Sequence, residues 1–173
     1  MANQYLILTV IGDDRPGLVG ELSAVISSFG GNWLESSMSH LAGKFAGIVK
    51  VAVAAADEAK LKQALAGLSG LKVVVESSAE TAPLGRRRLQ LSLVGHDRIG
   101  IVREVSQVLA RHGVNVETLA THTSSAPMSA EVLFHAQADL SAAGNLDARV
   151  LAAELEKISN DLMVDISVAE TIA

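Results

Sequence analysis

The chain of 173 residues contains no cysteine and few aromatic side chains, at 3% of the total. Without cysteine there are no disulfides, no thiolate nucleophile and no cysteine-ligated metal, which is consistent with a reducing compartment. With so few aromatic residues the core must be aliphatic. The same scarcity argues against a platform for single-stranded nucleic acid, because such platforms stack bases on aromatic rings.

Positive charge and long apolar runs are also scarce. The net charge is −5, whereas direct DNA binding needs a basic face, so we expect no direct contact with nucleic acid. The one basic run, Arg86-Arg87-Arg88, is interpreted as the solvated end of a linker. No apolar stretch approaches the roughly 18 residues of a membrane helix. The first residues, Met-Ala-Asn-Gln, lack the basic region of a signal peptide. These features predict a soluble cytoplasmic protein without membrane contact.

The sequence contains one motif in two copies, which we call the repeated phrase: VIGDDRPGLVGEL at 10–22 and LVGHDRIGIVREV at 93–105. A single constant offset aligns both copies and preserves two glycines, an aspartate, an arginine and a glutamate. The matched pairs include Gly12 and Gly95, Asp14 and Asp97, Arg15 and Arg98, Gly17 and Gly100, Glu21 and Glu104, and Asn32 and Asn115. Two copies indicate a duplicated domain, because a solenoid needs at least about three repeats.

Each copy has the pattern of β-α-β-β-α-β. In the first, strands are predicted at 6–11 (ended by Gly12), 32–40, 48–54 and 71–76, with helices from Leu18 to about Gly30 and at 57–68. In the second, strands are predicted at 89–94 (ended by Gly95), 115–122, 130–138 and 163–168, with helices from Ile101 to about Gly113 and at 147–159. The expected fold class is α+β, two tandem ferredoxin-like βαββαβ domains whose antiparallel sheets carry helices on one face. The predicted boundaries are 1–77, a linker at 78–86, and 87–173.

The repeated phrase joins the first strand to the first helix, where unpaired N–H groups and the helix dipole favour an anion. Gly12 and Gly17 allow close backbone approach or a sharp turn. Asp14 and Asp97 are expected to cap the helices, and Pro16 suits a first turn. The alternative is that the phrase is only a well-made strand-to-helix turn.

Two further residue types recur with the phrase. Arg15 and Arg98 are expected to hold either a ligand carboxylate or a neighbouring acid. Asn32 and Asn115 begin the second strands, where an amide offers a donor and an acceptor near the loop.

The stretches GDDRPGLV with GGN, and GHDRIGIV with GVN, resemble the ACT domain, a small ligand-sensing module of amino-acid metabolism. The resemblance implies that a small amino acid such as glycine or serine lies where two units pair, its carboxylate on loop amides and its ammonium on Asn or Asp oxygens. The ligand-binding residues it implies are Gly12, Asp13, Asp14, Arg15, Gly17, Leu18, Asn32, His96, Asp97, Arg98, Gly100, Ile101 and Asn115.

The two copies differ within this set. Asp13 is replaced by His96 and Pro16 by Ile99. The spacing from Asn to Glu is one residue shorter in the second copy when Glu35 is matched with Glu117. We therefore expect unequal binding by the two copies.

The resemblance also implies a function. We expect an amino-acid-responsive regulator of transcription that contacts a DNA-binding transcription factor rather than DNA. The alternative is a free-standing regulatory subunit or adaptor of an amino-acid metabolic enzyme. Pairing of units within one chain or in a homodimer stays open.

No catalytic residues, cofactor or metal are expected. The sequence has no G-x-S-x-G elbow and no serine with a positioned base. His40 and His122, which we align at the ends of the two second strands, lack the partners of a metal site.

Overall fold

The computed structural model describes residues 3–78, 87–126, 131–160 and 162–168. The chain divides into two compact units, Met1–Ala82 and Pro83–Ala173. Of the predicted linker at 78–86, Ser78 is the last residue of a strand and 79–86 lie outside the described residues.

The first unit contains β1 (Asn3–Asp13), α1 (Leu18–Ser28), β2 (Asn32–Leu41), β3 (Lys44–Ala54), α2 (Glu58–Ala66) and β4 (Leu71–Ser78). Its four strands form an antiparallel sheet in the order β2-β3-β1-β4. The second unit repeats this layout with β5 (Arg87–His96), α3 (Ile101–Arg111), β6 (Asn115–Ser125), β7 (Val132–Ala142), α4 (Ala148–Glu156) and β8 (Met163–Val168). Its strand order is β6-β7-β5-β8. The predicted βαββαβ fold is confirmed in both halves.

The alternation of buried and exposed side chains along the central strands decides which face of each sheet carries the helices. In β1 the side chains of Leu6, Leu8 and Val10 are buried, whereas Thr9 and Ile11 are exposed. The buried face meets α1 and α2, which contribute the aliphatic residues of one core cluster. Each fully buried leucine contributes about 1.5–3 kcal/mol relative to an exposed one. The second unit has a core cluster of its own, built in the same way around Leu89, Leu91 and Leu93.

Helix α1 begins and ends at glycines in the left-handed region. Gly17 is the N-cap residue with φ 95°, and Gly30, directly after the C-cap residue, has φ 69°. The corresponding glycines of α3 are Gly100 (φ 93°) and Gly113 (φ 65°). The predicted glycine termination of both helices is confirmed.

Several predicted bounds are corrected. β1 and β5 do not end at Gly12 and Gly95, because both glycines pair with neighbouring strands inside the sheet. The third strand of the second unit, expected at 130–138, runs over Val132–Ala142. The second helices are shorter than expected at both ends, because their buried faces are confined to Leu61 and Leu65 in α2 and to Leu151 and Leu155 in α4.

The hairpin beside the first loop is short, and its counterpart is longer. Ala42 and Gly43, both at positive φ, join β2 to β3, which is the backbone of a tight two-residue hairpin. In the second unit, the Ala126 N–H donates to the Glu131 carbonyl oxygen at 2.9 Å across the base of a longer connection.

Candidate functional site

The repeated phrase forms the same strand-loop-helix corner in each unit. After β1, the Asp14 N–H donates to the Gly43 carbonyl oxygen at 2.9 Å, and after β5, the Asp97 N–H donates to the Val132 carbonyl oxygen at 2.8 Å. The loop is therefore tied to the start of the third strand in both copies. The first helical bond follows when the N–H of Glu21 donates to the carbonyl oxygen of Gly17, so the N–H groups of the first three helix residues have no carbonyl acceptor within the helix.

The helix caps differ from the prediction. Neither α1 nor α3 has a side-chain cap, and their N-cap residues are Gly17 and Gly100. The expectation that Asp14 and Asp97 cap these helices is wrong, because each precedes its helix by too many residues to occupy the N-cap position. Pro16 likewise precedes the N-cap and is not part of the first turn. The Asp14 carboxylate instead lies 3.5 Å from Nε2 of His40.

Both loop arginines are held by an acid of the following helix. Arg15 donates from Nη1 and Nη2 to the two carboxylate oxygens of Glu21, at 2.6 and 2.7 Å. Arg98 and Glu104 form the same two-bond pair. Hydrogen bonds from the arginines hold the pKa of Glu21 and that of Glu104 below the usual range. Of the two alternatives for these arginines, the structure shows the neighbouring acid.

Asp13 and Lys44 face each other across the β1–β3 pair. The Lys44 ammonium donates to the Asp13 carboxylate, and this bond lowers the Asp13 pKa. At the matching position of the second unit, His96 pairs with Leu133 in register, and its Nε2 lies 3.0 Å from the Glu131 carboxylate. The two loops therefore carry different charges.

The strand-start asparagines lie far from the loops of their own units. Asn32 pairs with Ala52, which pairs with Tyr5 near the beginning of β1, whereas the loop follows Asp13 at its end. The seven residue-to-residue steps from Tyr5 to Gly12 span about 23 Å. Asn115 has the same position, since it pairs with Ser141 opposite Arg88. The expectation that these amides lie near the loop is wrong within a unit.

Register also corrects the alignment of the second strands. Both contain one extra residue, Leu34 in β2 and Glu117 in β6, as a bulge at the same place. Glu35 therefore corresponds to Thr118, and the apparent shortening between Asn and Glu is not a deletion.

The same register separates the two strand-end histidines. His40 pairs with Phe45 and corresponds to Thr123, which pairs with Phe134. His122 corresponds to Ser39 and stacks on His135, with ring centroids 4.5 Å apart. Because side chains alternate along a strand, His40 and His122 lie on opposite faces of their sheets. Their predicted equivalence is wrong.

A shallow depression of about 450 Å³ lies beside the first loop. It is lined by the ends of three strands, including Ile11, Gly12, Asp13, Lys44, Gly70 and Lys72. Lys44 and Lys72 were not identified from the sequence, because the charges converge only when β1, β3 and β4 are placed in register.

A depression of about 380 Å³ in the second unit lies away from its loop. It occupies the open sheet face, where Gln90, Thr118, Gln137 and Asp139 line it. Thr118 donates its hydroxyl to the Asp139 carboxylate at 2.7 Å.

Within the described ranges, no group of three or more His, Cys, Asp or Glu side chains is arranged to hold a metal ion. Among the helices that the structure describes, none is long and apolar enough to span a membrane.

Two solved structures are similar to this chain over nearly its whole length. An unknown protein from Galdieria sulphuraria has 28% sequence identity and a TM-score of 0.86, covering 97% of this chain and 99% of that chain. A putative glycine cleavage system transcriptional repressor has 15% identity and a TM-score of 0.69, covering 98% of this chain and 100% of its own. No curated protein matches the sequence.

Family models match both halves of the chain. An ACT domain model matches residues 4–75, and a second matches residues 90–143. Together they cover well over half of the sequence, and each lies on one of the two βαββαβ units. The chain therefore belongs to the ACT domain family and carries one such domain in each half.

Proposed function

We propose that this protein is an amino-acid-responsive regulator that controls transcription through contact with another protein. ACT domains are small-molecule-sensing regulatory modules, and two of them make up most of the chain. The observation that carries the proposal is the recurrence of one loop geometry in both units. Each loop has a left-handed glycine before the helix and a two-bond Arg–Glu pair after the strand.

The proposed ligand is a small amino acid such as glycine or serine. Its carboxylate would bind beside the loop that precedes α1 or α3, where unpaired loop amides and the helix dipole favour negative charge. The proposed contacts within the two loops are Gly12, Asp13, Asp14, Arg15, Gly17 and Leu18, and His96, Asp97, Arg98, Gly100 and Ile101. The Arg–Glu pairs support this role by holding the loop in one shape, which lowers the entropic cost of ordering it around a ligand.

Asn32 and Asn115 lie away from the loop residues of their own units. Each lies a sheet length from its own loop, so neither contributes to a ligand held by that loop alone. A loss of ligand affinity in Asn32→Ala would mean that a second unit completes the site. An unchanged affinity would mean that the loop suffices.

The proposed partner is a DNA-binding transcription factor in the cytoplasm. The net charge of −5 supports an indirect route, because a basic face is needed to neutralise DNA phosphates. The repressor-like structural neighbour, whose fold extends over the whole chain, supports the same assignment. A metabolic enzyme recovered in place of a transcription factor would instead make the protein a regulatory subunit.

The test begins with thermal unfolding in the presence of each of the twenty amino acids. A ligand that binds only the folded state adds about 2.7 kcal/mol of stability at a concentration of 100 Kd. We expect a saturable rise in Tm for glycine or serine and none for glycinamide, which lacks the carboxylate. If none of the twenty stabilises the protein at millimolar concentration, the sensing role is wrong.

The regulatory step is tested by affinity capture on the full-length chain, with and without the stabilising amino acid. We expect capture of a DNA-binding protein whose yield changes with the ligand. Arg15→Ala combined with Arg98→Ala removes both Arg–Glu pairs. This double variant should abolish the change in yield with ligand. Capture that ignores the ligand would contradict the regulatory role.

A further inference from the structure

We propose that the depression beside the first loop is a carboxylate-binding site in which Lys72, with Lys44 beside it, holds the acid group of a small monocarboxylate, and that the second unit has no such site. This inference deepens the proposed sensing function and rests on it, since it names where the ligand's carboxylate binds and in which unit.

Strand register places the two lysines around one point. Ile11 pairs with Lys72 on β4, and Asp13 pairs with Lys44 on β3, so all four side chains share the open face at one end of the sheet. Two strand spacings, about 10 Å, and a stagger of two residues along β1, about 7 Å, put the backbones of the two lysines roughly 12 Å apart. Each lysine stem spans roughly half of that distance, so both ammonium groups can reach a small anion between them.

The charges of the neighbouring cations single out Lys72. Arg15 is bound by Glu21 through two hydrogen bonds. Lys44 is bonded to Asp13. Lys72 forms no ion pair with any residue in the described part of the chain, and its side chain is exposed at the depression. Two lysines and one aspartate leave a local charge that matches one carboxylate.

The repeat supplies an internal comparison. In the second unit Val94 pairs with Met163 and His96 pairs with Leu133. Methionine and leucine therefore stand where the first unit has Lys72 and Lys44. The core-facing positions of the same strands stay aliphatic in both units, so the fold does not require the lysines to be replaced by Met163 and Leu133. The replacement removes both cations from the second unit and leaves them in the first.

The test uses substitutions that copy the second unit into the first. Lys72→Met and Lys44→Leu are made in the full-length protein, with Lys60→Met as the control, because Lys60 lies on α2 and pairs there with Asp57. The probes are glycine, acetate and glycinamide, titrated at low ionic strength while amide resonances of β1 and β4 are followed by NMR.

We expect acetate and glycine to shift these resonances saturably and glycinamide to leave them unchanged. In Lys72→Met the Kd for both carboxylates should rise about tenfold or more, the scale of one charge-assisted bond. Lys60→Met should bind like the wild type. Adding salt should weaken wild-type binding, because exposed charges are screened.

A reciprocal variant guards against a merely structural effect. Met163→Lys combined with Leu133→Lys should create acetate-dependent shifts around His96 that the wild type lacks. If an amino acid binds the wild type and Lys72→Met binds it equally well, the site is elsewhere and the sensing function stands. If acetate binds through Lys72 but none of the twenty amino acids binds, the carboxylate site stands and the sensing function falls. If nothing binds, both are wrong.

Discussion

At Gly12 the backbone of the neighbouring strand excludes a side chain. A Cβ added there would lie 2.3 Å from the carbonyl oxygen of Gly70. The repeated glycine therefore permits β4 to begin against β1, which explains its presence before any ligand is considered. Gly17 is different, because its φ of 95° requires glycine for the turn into α1.

We therefore expect Gly12→Ala to lower the free energy of unfolding of the first unit by about 1–3 kcal/mol or more, the usual cost of overpacking against an unyielding neighbour. Gly20→Ala is the matched control, since a Cβ there meets nothing within 4 Å. It lies within α1 and should stabilise by about 0.5–1 kcal/mol through helix propensity. Chemical denaturation measures both, and equal stabilities would contradict the contact.

The Arg–Glu pairs predict a pH dependence. The pKa values of Glu21 and Glu104 lie below the ordinary value of 4.5 because the arginines bond to the charged carboxylates. A lowered pKa in the folded state contributes stability that is present above pH 4.5 and is lost as pH falls through the folded-state value. Glu21→Gln combined with Glu104→Gln should flatten this part of the acid transition.

The measurement is the free energy of unfolding from pH 6 to pH 3 for the wild type and the double variant. The difference between the two proteins should be largest at pH 6 and should shrink toward pH 3. A difference that does not change with pH would mean that the pairs contribute by packing alone. Both pairs are at least partly open to solvent, so they should also weaken with salt.

Among the helices, the second one of each unit begins with an aspartate in two different conformations. Asp147, at φ −87° and ψ 108°, accepts a hydrogen bond from the Arg149 N–H and caps α4. Asp57, at φ −107° and ψ −5°, makes no cap bond to α2 and pairs with Lys60 instead. The two equivalent aspartates therefore differ in capping, because an N-cap side chain reaches the helix amides only from an extended backbone.

We expect Asp147→Ala to lower the Tm of the second unit by about 4–8 °C, the scale of one lost cap in a domain of this size. Asp57→Ala should leave the first unit nearly unchanged, because no capping bond is lost. Calorimetry or amide exchange resolved by unit provides the measurement. Equal losses in both variants would contradict the difference in capping.

For the strands, the sequence predicted their existence but not the position of every side chain within them. Alternation and glycine spacing predicted every strand and helix, because burial on one face imposes a period on the sequence. The equivalence of His40 with His122 failed, because the offset that aligns the two copies matches His40 with Thr123, and a shift of one residue moves a side chain to the opposite face of the sheet. The placement of Asn32 near the loop failed because Asn32 follows the last turn of α1, at the opposite end of the helix from the loop.

At the scale of the molecule, the aliphatic residues in the described part of the chain form two core clusters that share no residue. Leu61 of α2 and Leu151 of α4 occupy equivalent positions and are both 0% exposed. Each should therefore govern the stability of its own unit.

We expect Leu61→Ala to cost about 2–5 kcal/mol, the usual range for removing a buried leucine side chain. The loss should speed exchange of the amides in β1 and β3 and leave those of β5 and β7 protected. Leu151→Ala should give the reverse pattern. Amide exchange measured on the full chain tests both, and loss of protection throughout in either variant would contradict separate cores.

The sequence by itself determined the duplication, the order of elements, the aliphatic core and the loop that opens each first helix. These follow from local rules: periodic burial, glycine at left-handed turns, and an offset that preserves identical residues. Only the tertiary structure decided which charges meet, because residues distant in sequence become neighbours through strand register. It paired Arg15 with Glu21 and Asp13 with Lys44, separated Asn32 from its loop, and placed Lys72 beside the same corner, where the second unit carries Met163 instead.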